Sequence, residues 1–130
     1  MAFRAVLFDL DGTLVDSEAK SARALAHVLA RDVGVDITTE DRDFVIGHSW
    51  NEIYARLCGA NRAVRRLSLA VLIEHASRER AHIIAREGLT ILPGAVAAVL
   101  RISLAKAVVT GSSRQEAGEA LDHLGVRDRF

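Results

Sequence analysis

The 130-residue sequence has one cysteine, one proline and one tryptophan, and only 5% of its residues are aromatic. The single cysteine, Cys58, excludes an internal disulfide, which suits a reducing compartment and predicts a cytoplasmic protein. Basic and acidic side chains number 17 each, so no net charge favours nucleic acid or an anionic membrane as a partner. No apolar run approaches the roughly 18 residues that span a bilayer.

The N-terminal segment Phe3–Leu10 is apolar, but it contains Arg4 and Asp9 and lacks a cleavage site of small residues. We therefore expect no signal peptide. Half of the residues are hydrophobic, which predicts a globular chain rather than a disordered one.

Two short apolar runs, Phe3–Asp9 and Ala105–Val109, have the character of β-strands, and each is followed by turn-forming residues. Their near-continuous apolarity predicts strands of a parallel sheet that is covered on both faces. Helical patterns follow each strand, which is the order expected of an α/β fold with crossover connections.

The segment between the strands has helical spacing of its apolar residues and no convincing strand. We predict helices that begin near Ser17, Thr38 and Ser49, and a longer helix from Arg62 to Glu87. After it, the pattern predicts a helix over Ala95–Arg101 and another that opens at Ser113. The sequence thus predicts an α/β core made of residues 1–16 and 89–130, with residues 17–88 inserted as an all-helical domain.

The segment from Phe8 to Ser17 contains two carboxylates two positions apart, Asp9 and Asp11, directly after the first strand. Residues i and i+2 of an extended chain point to the same side, so both should project from the carboxyl end of that strand. One carboxylate at such a place can act as a nucleophile while the other transfers a proton to a leaving oxygen. Gly12 permits a sharp turn there.

The segment Val108 to Ser113 joins the second strand to a helix start and offers the Thr110 hydroxyl and backbone amides to a phosphate. Gly111 permits close approach of a ligand. An acidic strand end beside a phosphate-binding one is consistent with a site for Mg²⁺ and a phosphoryl group.

These residues resemble the haloacid dehalogenase superfamily of phosphotransferases. Its first motif is an apolar strand followed by Asp-x-Asp-Gly-Thr, matched by Asp9 to Thr13, and its second is a strand ending in Thr or Ser, matched by Thr110. The helical segment after Val15 resembles a cap that this superfamily inserts behind the first motif. Leu92 to Gly94 resembles the return to the core in the phosphatase and β-phosphoglucomutase-like branch.

The resemblance implies that Asp9 is the nucleophile, that Asp11 is the general acid and base, and that both are ligands of Mg²⁺, Asp11 through its backbone carbonyl. It implies phosphate binding by Leu10, Thr110, Gly111 and Ser112. The acid at Asp11 favours phosphoryl transfer over dehalogenation, because an alkoxide leaving group needs a proton and a halide does not. The expected reaction is Mg²⁺-dependent hydrolysis of a small phosphomonoester, such as a sugar phosphate.

The superfamily pattern continues with a Lys or Arg and an acidic pair after further strands, and neither is matched after Thr110. We therefore expect the chain to correspond to the first part of a longer enzyme, with an incomplete sheet and little hydrolase activity of its own.

Two alternatives stay open, a phosphomutase of the same branch and a non-catalytic fragment. Trp50 stands about where β-phosphoglucomutases have an Arg, which favours a phosphatase. His48, in the loop between two helices of the inserted segment, is the best candidate there for a substrate contact, although the same loop also reads simply as a helix stop and a helix cap.

Overall fold

Residues 2–130, which the computed structural model describes, form six α-helices, four β-strands and two short 3₁₀ helices. The strands are β1 (Ala5–Phe8), β2 (Val15–Asp16), β3 (Thr90–Ile91) and β4 (Ala105–Val108). The helices are α1 (Glu18–Val33), α2 (Thr39–Val45), α3 (Trp50–Ala60), α4 (Leu69–Glu87), α5 (Ala95–Arg101) and α6 (Arg114–Leu124), and the 3₁₀ helices are Arg62–Arg66 and Arg127–Arg129.

Strands β1 and β4 pair in parallel, in a register that runs from Ala5 opposite Ala105 to Phe8 opposite Val108. This confirms the predicted α/β fold with parallel strands. The Val109 amide extends the pairing by donating to the Phe8 carbonyl at 2.8 Å. The two strands therefore end side by side, at the same edge of the sheet.

The sheet is covered on one face only, which corrects the expectation that both faces are buried. Phe8 is 9% exposed and packs in a cluster with residues of α5 and α6, including Val99 and Leu121. Its neighbour Leu7 points to the other face and is 68% exposed. Val109, which follows β4, is 58% exposed. Because both helices pack on one side, the described residues leave the second apolar face of β1 and β4 open.

Strands β2 and β3 form a separate antiparallel pair, with Val15 opposite Ile91 and Asp16 opposite Thr90. The Leu92 amide donates to the Leu14 carbonyl at 3.0 Å just beyond this pair. Sequence analysis missed both strands because two residues are too few to show an alternating pattern.

The chain forms two compact units: a core unit, made of the described residues up to Ser17 together with Leu89–Phe130, and a helical unit, Glu18–Gly88. All four strands lie in the core unit. In the helical unit the apolar faces of α1, α3 and α4 meet in their own core, whose most buried members are Leu25, Val28, Leu29, Val64 and Leu72.

The helix predicted from Arg62 to Glu87 is interrupted. A 3₁₀ helix occupies Arg62–Arg66, Leu67 is extended, and α4 starts after Ser68, whose hydroxyl accepts a hydrogen bond from the Val71 amide at 3.3 Å. The prediction was wrong here because a Ser that caps a helix satisfies amides which a continuous helix would bond internally.

Helices α1 and α4 are also joined by a charged network around Asp32. Its carboxylate accepts hydrogen bonds from Arg31 Nε and His75 Nδ1, both at 2.6 Å. These donors, Arg31 first, lower the pKa of Asp32 to about 2. Nearby, His27 Nδ1 lies 3.0 Å from Glu79 Oε1.

The one-sided sheet predicts opposite outcomes for two adjacent substitutions on β1. Phe8→Ala should lower the free energy of unfolding by about 3 kcal/mol, because it leaves a cavity in a packed cluster. Leu7→Ala should lower it by less than about 0.5 kcal/mol, because that side chain is exposed. Urea denaturation followed by circular dichroism measures both, and equal losses would contradict a sheet with one open face.

The Asp32 network predicts a stability loss in acid. A carboxyl whose pKa is lowered by folding stabilises the protein above its unfolded pKa of about 4, and this stabilisation disappears as the pH falls towards 2. Asp32→Asn should therefore cost about 1 kcal/mol at pH 7, with a difference from wild type that shrinks below pH 4. Helical circular dichroism in urea at several pH values tests this, with the exposed Asp36→Asn as control; a difference constant with pH would contradict it.

Candidate active site

The candidate site lies where β1 and β4 end side by side. Asp9 to Gly12 leave the sheet after β1, and Val109 to Ser112 leave it after β4. Parallel pairing places both segments at the same edge, which is where open α/β sheets bind ligands.

The turn after β1 is organised around Leu10. Its carbonyl accepts hydrogen bonds from the amides of Thr13 (3.2 Å), Leu14 (2.8 Å) and Val15 (3.1 Å). Gly12 adopts φ 79°, a conformation that favours glycine, and its amide donates to the Val15 carbonyl at 2.7 Å. Leu10 is 1% exposed, so this expected phosphate-binding residue anchors the turn in the core.

Asp11 joins the two segments through its carboxylate. Its Oδ2 atom accepts hydrogen bonds from Thr110 Oγ1 at 3.1 Å and from Ser112 Oγ at 2.6 Å. Its Oδ1 atom accepts a hydrogen bond from the hydroxyl of Ser17. Asp11, Thr110 and Ser112, three of the residues expected at the site, are thus in direct contact, although Asp11 and Thr110 are 99 positions apart.

Asp9 has a different environment from Asp11. It is exposed, and its Oδ2 atom accepts a hydrogen bond from Thr13 Oγ1 at 3.0 Å. The Thr13 hydroxyl orients this carboxylate while leaving it accessible from solvent. Chemically, an exposed and oriented carboxylate can attack an electrophile or bind a cation.

The segment after β4, where phosphate binding is expected, is held partly by hydrogen bonds within itself. The Ser112 amide donates to Thr110 Oγ1 at 3.1 Å, and the Ser113 amide donates to Glu116 Oε2 at 2.9 Å as part of a capping box at the start of α6. These two amides therefore already have protein partners. Gly111 is exposed, and a Cβ atom added there would meet nothing within 4 Å, so the segment is open where a ligand would approach.

His48 lies in the helical unit, where its described contacts are local. Its ring stacks on that of Phe44, with centroids 3.8 Å apart, and its Nδ1 atom lies 3.2 Å from the Ile46 carbonyl oxygen. The Arg56 guanidinium lies 4.6 Å from the centroid of the same Phe44 ring. These contacts, all within the helical unit, hold an exposed imidazole in one orientation.

The oxygen donors of Asp9 and Asp11 fit a hard cation. Mg²⁺ is usually bound by one or two carboxylates together with waters and substrate phosphate. Within residues 2–130, no group of three or more His, Cys, Asp or Glu side chains is placed to hold a metal. Asp9 has the accessible carboxylate, whereas the Asp11 carboxylate is engaged by hydroxyls.

Sequence analysis missed the role of Ser17, which is 2% exposed and hydrogen-bonded to Asp11. It treated this serine only as the start of a helix. The closeness of Ser17 to Asp11 in sequence, six positions, was a signal that the two could meet. The path of the turn between them, which brings Ser17 back to Asp11, could not be predicted without the geometry.

Residues 6–130 match the haloacid dehalogenase-like hydrolases. With a parallel α/β core and an Asp-x-Asp-Gly-Thr strand end, the chain has the fold and motif of a class of hydrolases. The chain belongs to the haloacid dehalogenase-like hydrolase family. No curated protein matches it.

Solved structures share this fold over nearly the whole chain. A haloacid dehalogenase-like protein of unknown function from Agrobacterium tumefaciens is 25% identical with a TM-score of 0.73, and the match covers 99% of this chain and 56% of that one. A β-phosphoglucomutase from Clostridium difficile is 25% identical with a TM-score of 0.73, and the match covers 99% of this chain and 60% of that one.

A third structure is a haloacid dehalogenase family hydrolase from Deinococcus radiodurans with bound phosphate and sodium. It is 25% identical with a TM-score of 0.63, and the match covers 98% of this chain and 55% of that one. The chain therefore spans between 55% and 60% of the length of these three relatives. Within residues 2–130, none of the helices is both long enough and apolar enough to cross a membrane.

The buried Ser17 hydroxyl predicts a measurable stability contribution. Ser17→Ala should lower the free energy of unfolding by about 1–2 kcal/mol, because it removes a buried hydrogen bond to a charged acceptor. Urea denaturation measures the loss. The exposed Ser103→Ala is the control and should change stability by less than about 0.5 kcal/mol; a Ser17 effect no larger than the control would contradict the predicted contribution.

Proposed function

We propose that this chain carries the nucleophile and the phosphate-binding segment of a phosphatase that hydrolyses a small phosphomonoester. The observation that carries this proposal is the contact of the Asp11 carboxylate with the Thr110 and Ser112 hydroxyls. It joins a two-carboxylate strand end to a hydroxyl-bearing one, and a phosphoryl-transfer site needs both.

In the proposed reaction, an Asp9 carboxylate oxygen attacks phosphorus in line as the bond to the leaving oxygen breaks. Asp11 gives a proton to that oxygen, so that an alcohol leaves and an aspartyl-phosphate remains on Asp9. Water then attacks phosphorus while Asp11 accepts its proton, which releases inorganic phosphate and restores Asp9. The exposure of Asp9 supports its role as the attacking group.

Thr110, Gly111 and Ser112 are proposed to hold the transferring phosphoryl group, together with the backbone of Leu10. The open space at Gly111 supports close approach of phosphate oxygens. The Deinococcus radiodurans relative, whose structure contains phosphate, gives independent support for an anion in this fold.

Mg²⁺ is the proposed cofactor, held by the Asp9 carboxylate and the Asp11 carbonyl, and a cation there would reduce the repulsion between the aspartates and an anionic substrate. The chain's own part is to orient the ligands, which Thr13 does for Asp9 through its hydroxyl.

The helical unit is proposed to act as a substrate-selecting cap, with His48 contacting the leaving group. The stacking of His48 on Phe44 supports this role, because a ring held in one orientation loses little entropy on binding.

A phosphomutase is the second candidate, favoured by the similarity to the β-phosphoglucomutase from Clostridium difficile. Trp50 argues against it, since an Arg that would bind a second phosphate is absent at that place. Isomerisation of a sugar monophosphate that depends on a bisphosphate would identify a mutase, and release of inorganic phosphate alone would identify a phosphatase.

Because the relatives are longer, steady turnover by these 130 residues alone is expected to be weak, and the sharper test is covalent labelling of the nucleophile. Incubation with acetyl phosphate and Mg²⁺ should add the mass of one phosphoryl group in intact mass spectrometry. Asp9→Asn should abolish this adduct, because an amide does not attack phosphorus. Asp16→Asn, which changes another exposed aspartate in the neighbouring strand β2, should keep it. Labelling that persists in Asp9→Asn would contradict the proposal.

A further inference from the structure

The hydroxyls of Thr110 and Ser112 have two possible acceptors but only one proton each. Both donate to the same atom, Oδ2 of Asp11, at 3.1 Å and 2.6 Å. A hydroxyl carries a single O–H donor, so a proton that points to Asp11 cannot also point to a phosphate. The Thr110 oxygen is further fixed because it accepts the Ser112 amide at 3.1 Å.

Ser17 does not take part in this competition. Its hydroxyl donates to the other carboxylate oxygen, Oδ1, and its side chain is 2% exposed, so it lies away from an approaching ligand. Asp11 therefore has one carboxylate oxygen held by a buried serine and another held by two hydroxyls of the phosphate-binding segment.

We infer that the phosphoryl group itself releases Asp11 Oδ2, because Thr110 and Ser112 must turn from Asp11 to the anion in order to bind it. Before binding, these hydroxyls hold the acid-base oxygen; after binding, Ser17 alone of the three still holds the carboxylate, through Oδ1. Ser17 is thus a positioning residue, and Thr110 and Ser112 couple phosphate binding to the availability of the proton-transfer oxygen. The inference rests on the proposed function, since it takes phosphate as the ligand.

This exchange has a consequence for affinity. In the wild-type chain, the Ser112 hydroxyl gives up one charge-assisted hydrogen bond to make another, so its net contribution to phosphate affinity is small. Without the Asp11 carboxylate, the same hydroxyl is hydrogen-bonded to water before phosphate binds. Its hydrogen bond to phosphate then contributes fully to the affinity. Removal of Ser112 should therefore cost more affinity when Asp11 is absent.

A double-mutant cycle on the 130-residue chain measures this coupling. Inorganic phosphate is titrated in the presence of EDTA, with the amide NMR signals of Gly111 and its neighbours as the readout, so that no turnover is required. Ser112→Ala should weaken phosphate binding by about threefold or less in the wild-type background and by about tenfold in the Asp11→Ala background. Each loss is measured within one background, so the effect of the Asp11 charge itself on phosphate affinity cancels.

The matched control is Ser113→Ala. The Ser113 hydroxyl donates to Glu116 Oε2 at 2.8 Å rather than to Asp11, so its effect on phosphate affinity should be the same in both backgrounds. If Asp11→Ala does not fold, as judged by circular dichroism, the cycle is run with Asp11→Asn. Its neutral amide oxygen is a weaker acceptor, which predicts a smaller coupling of the same sign.

The outcomes separate this inference from the proposed function. Equal losses for Ser112→Ala in the two backgrounds, with phosphate still binding, would overturn the exchange of hydroxyl partners and leave the phosphate site standing. Absence of phosphate binding in every variant would overturn the phosphate site of the proposed function and, with it, this inference. Coupling to Asp11 that is found for Ser112→Ala and not for Ser113→Ala supports the exchange of hydroxyl partners.

Discussion

The parallel pairing of β1 with β4 is the constraint on which the rest of the core unit depends. Parallel neighbours need a crossover, so a short turn cannot bring these strands together, and their register decides which residues meet beyond the sheet. With Phe8 opposite Val108, the segments that follow leave from one edge, and the Asp11 carboxylate comes within hydrogen-bond distance of Thr110 and Ser112. A shift of one residue would turn the side chains of β1 to the opposite face and separate these groups.

The crossover contains an entire helical unit, and the structure shows how such an insertion is tolerated. The helices of Glu18–Gly88 bury their apolar faces against one another, in a hydrophobic core of their own. Where the chain leaves and re-enters the core unit, β2 and β3 pair, with Asp16 opposite Thr90. This short pair fixes the two ends of the insertion, and the entropy of closing a loop rises only slowly with the length between such ends.

How much the sequence predicts depends on the range of the interaction. The capping boxes at Ser49 and Ser113 were predictable because each uses residues three apart, and both are present. The exposure of Leu7 could not be predicted. The apolarity of β1 indicates that a layer covers each face, but it does not show whether these 130 residues supply both layers. The Asp-x-Asp strand end identified Asp9 and Asp11, but the bond from Ser17 depends on a turn whose path only the geometry gives.

The two carboxylates of the site show how one residue type can take two roles through its surroundings. Asp9 and Asp11 are only two positions apart, yet their environments differ. Asp9 is exposed, and among the described contacts Thr13 alone orients its carboxylate. Asp11 is partly buried and accepts hydrogen bonds from the hydroxyls of three other residues. Accessible oxygens suit a group that must reach phosphorus or a cation, and a constrained carboxylate suits one that must deliver a proton to a defined position. Pairs of acids whose environments differ in this way are a recurring basis for dividing nucleophilic from acid-base work.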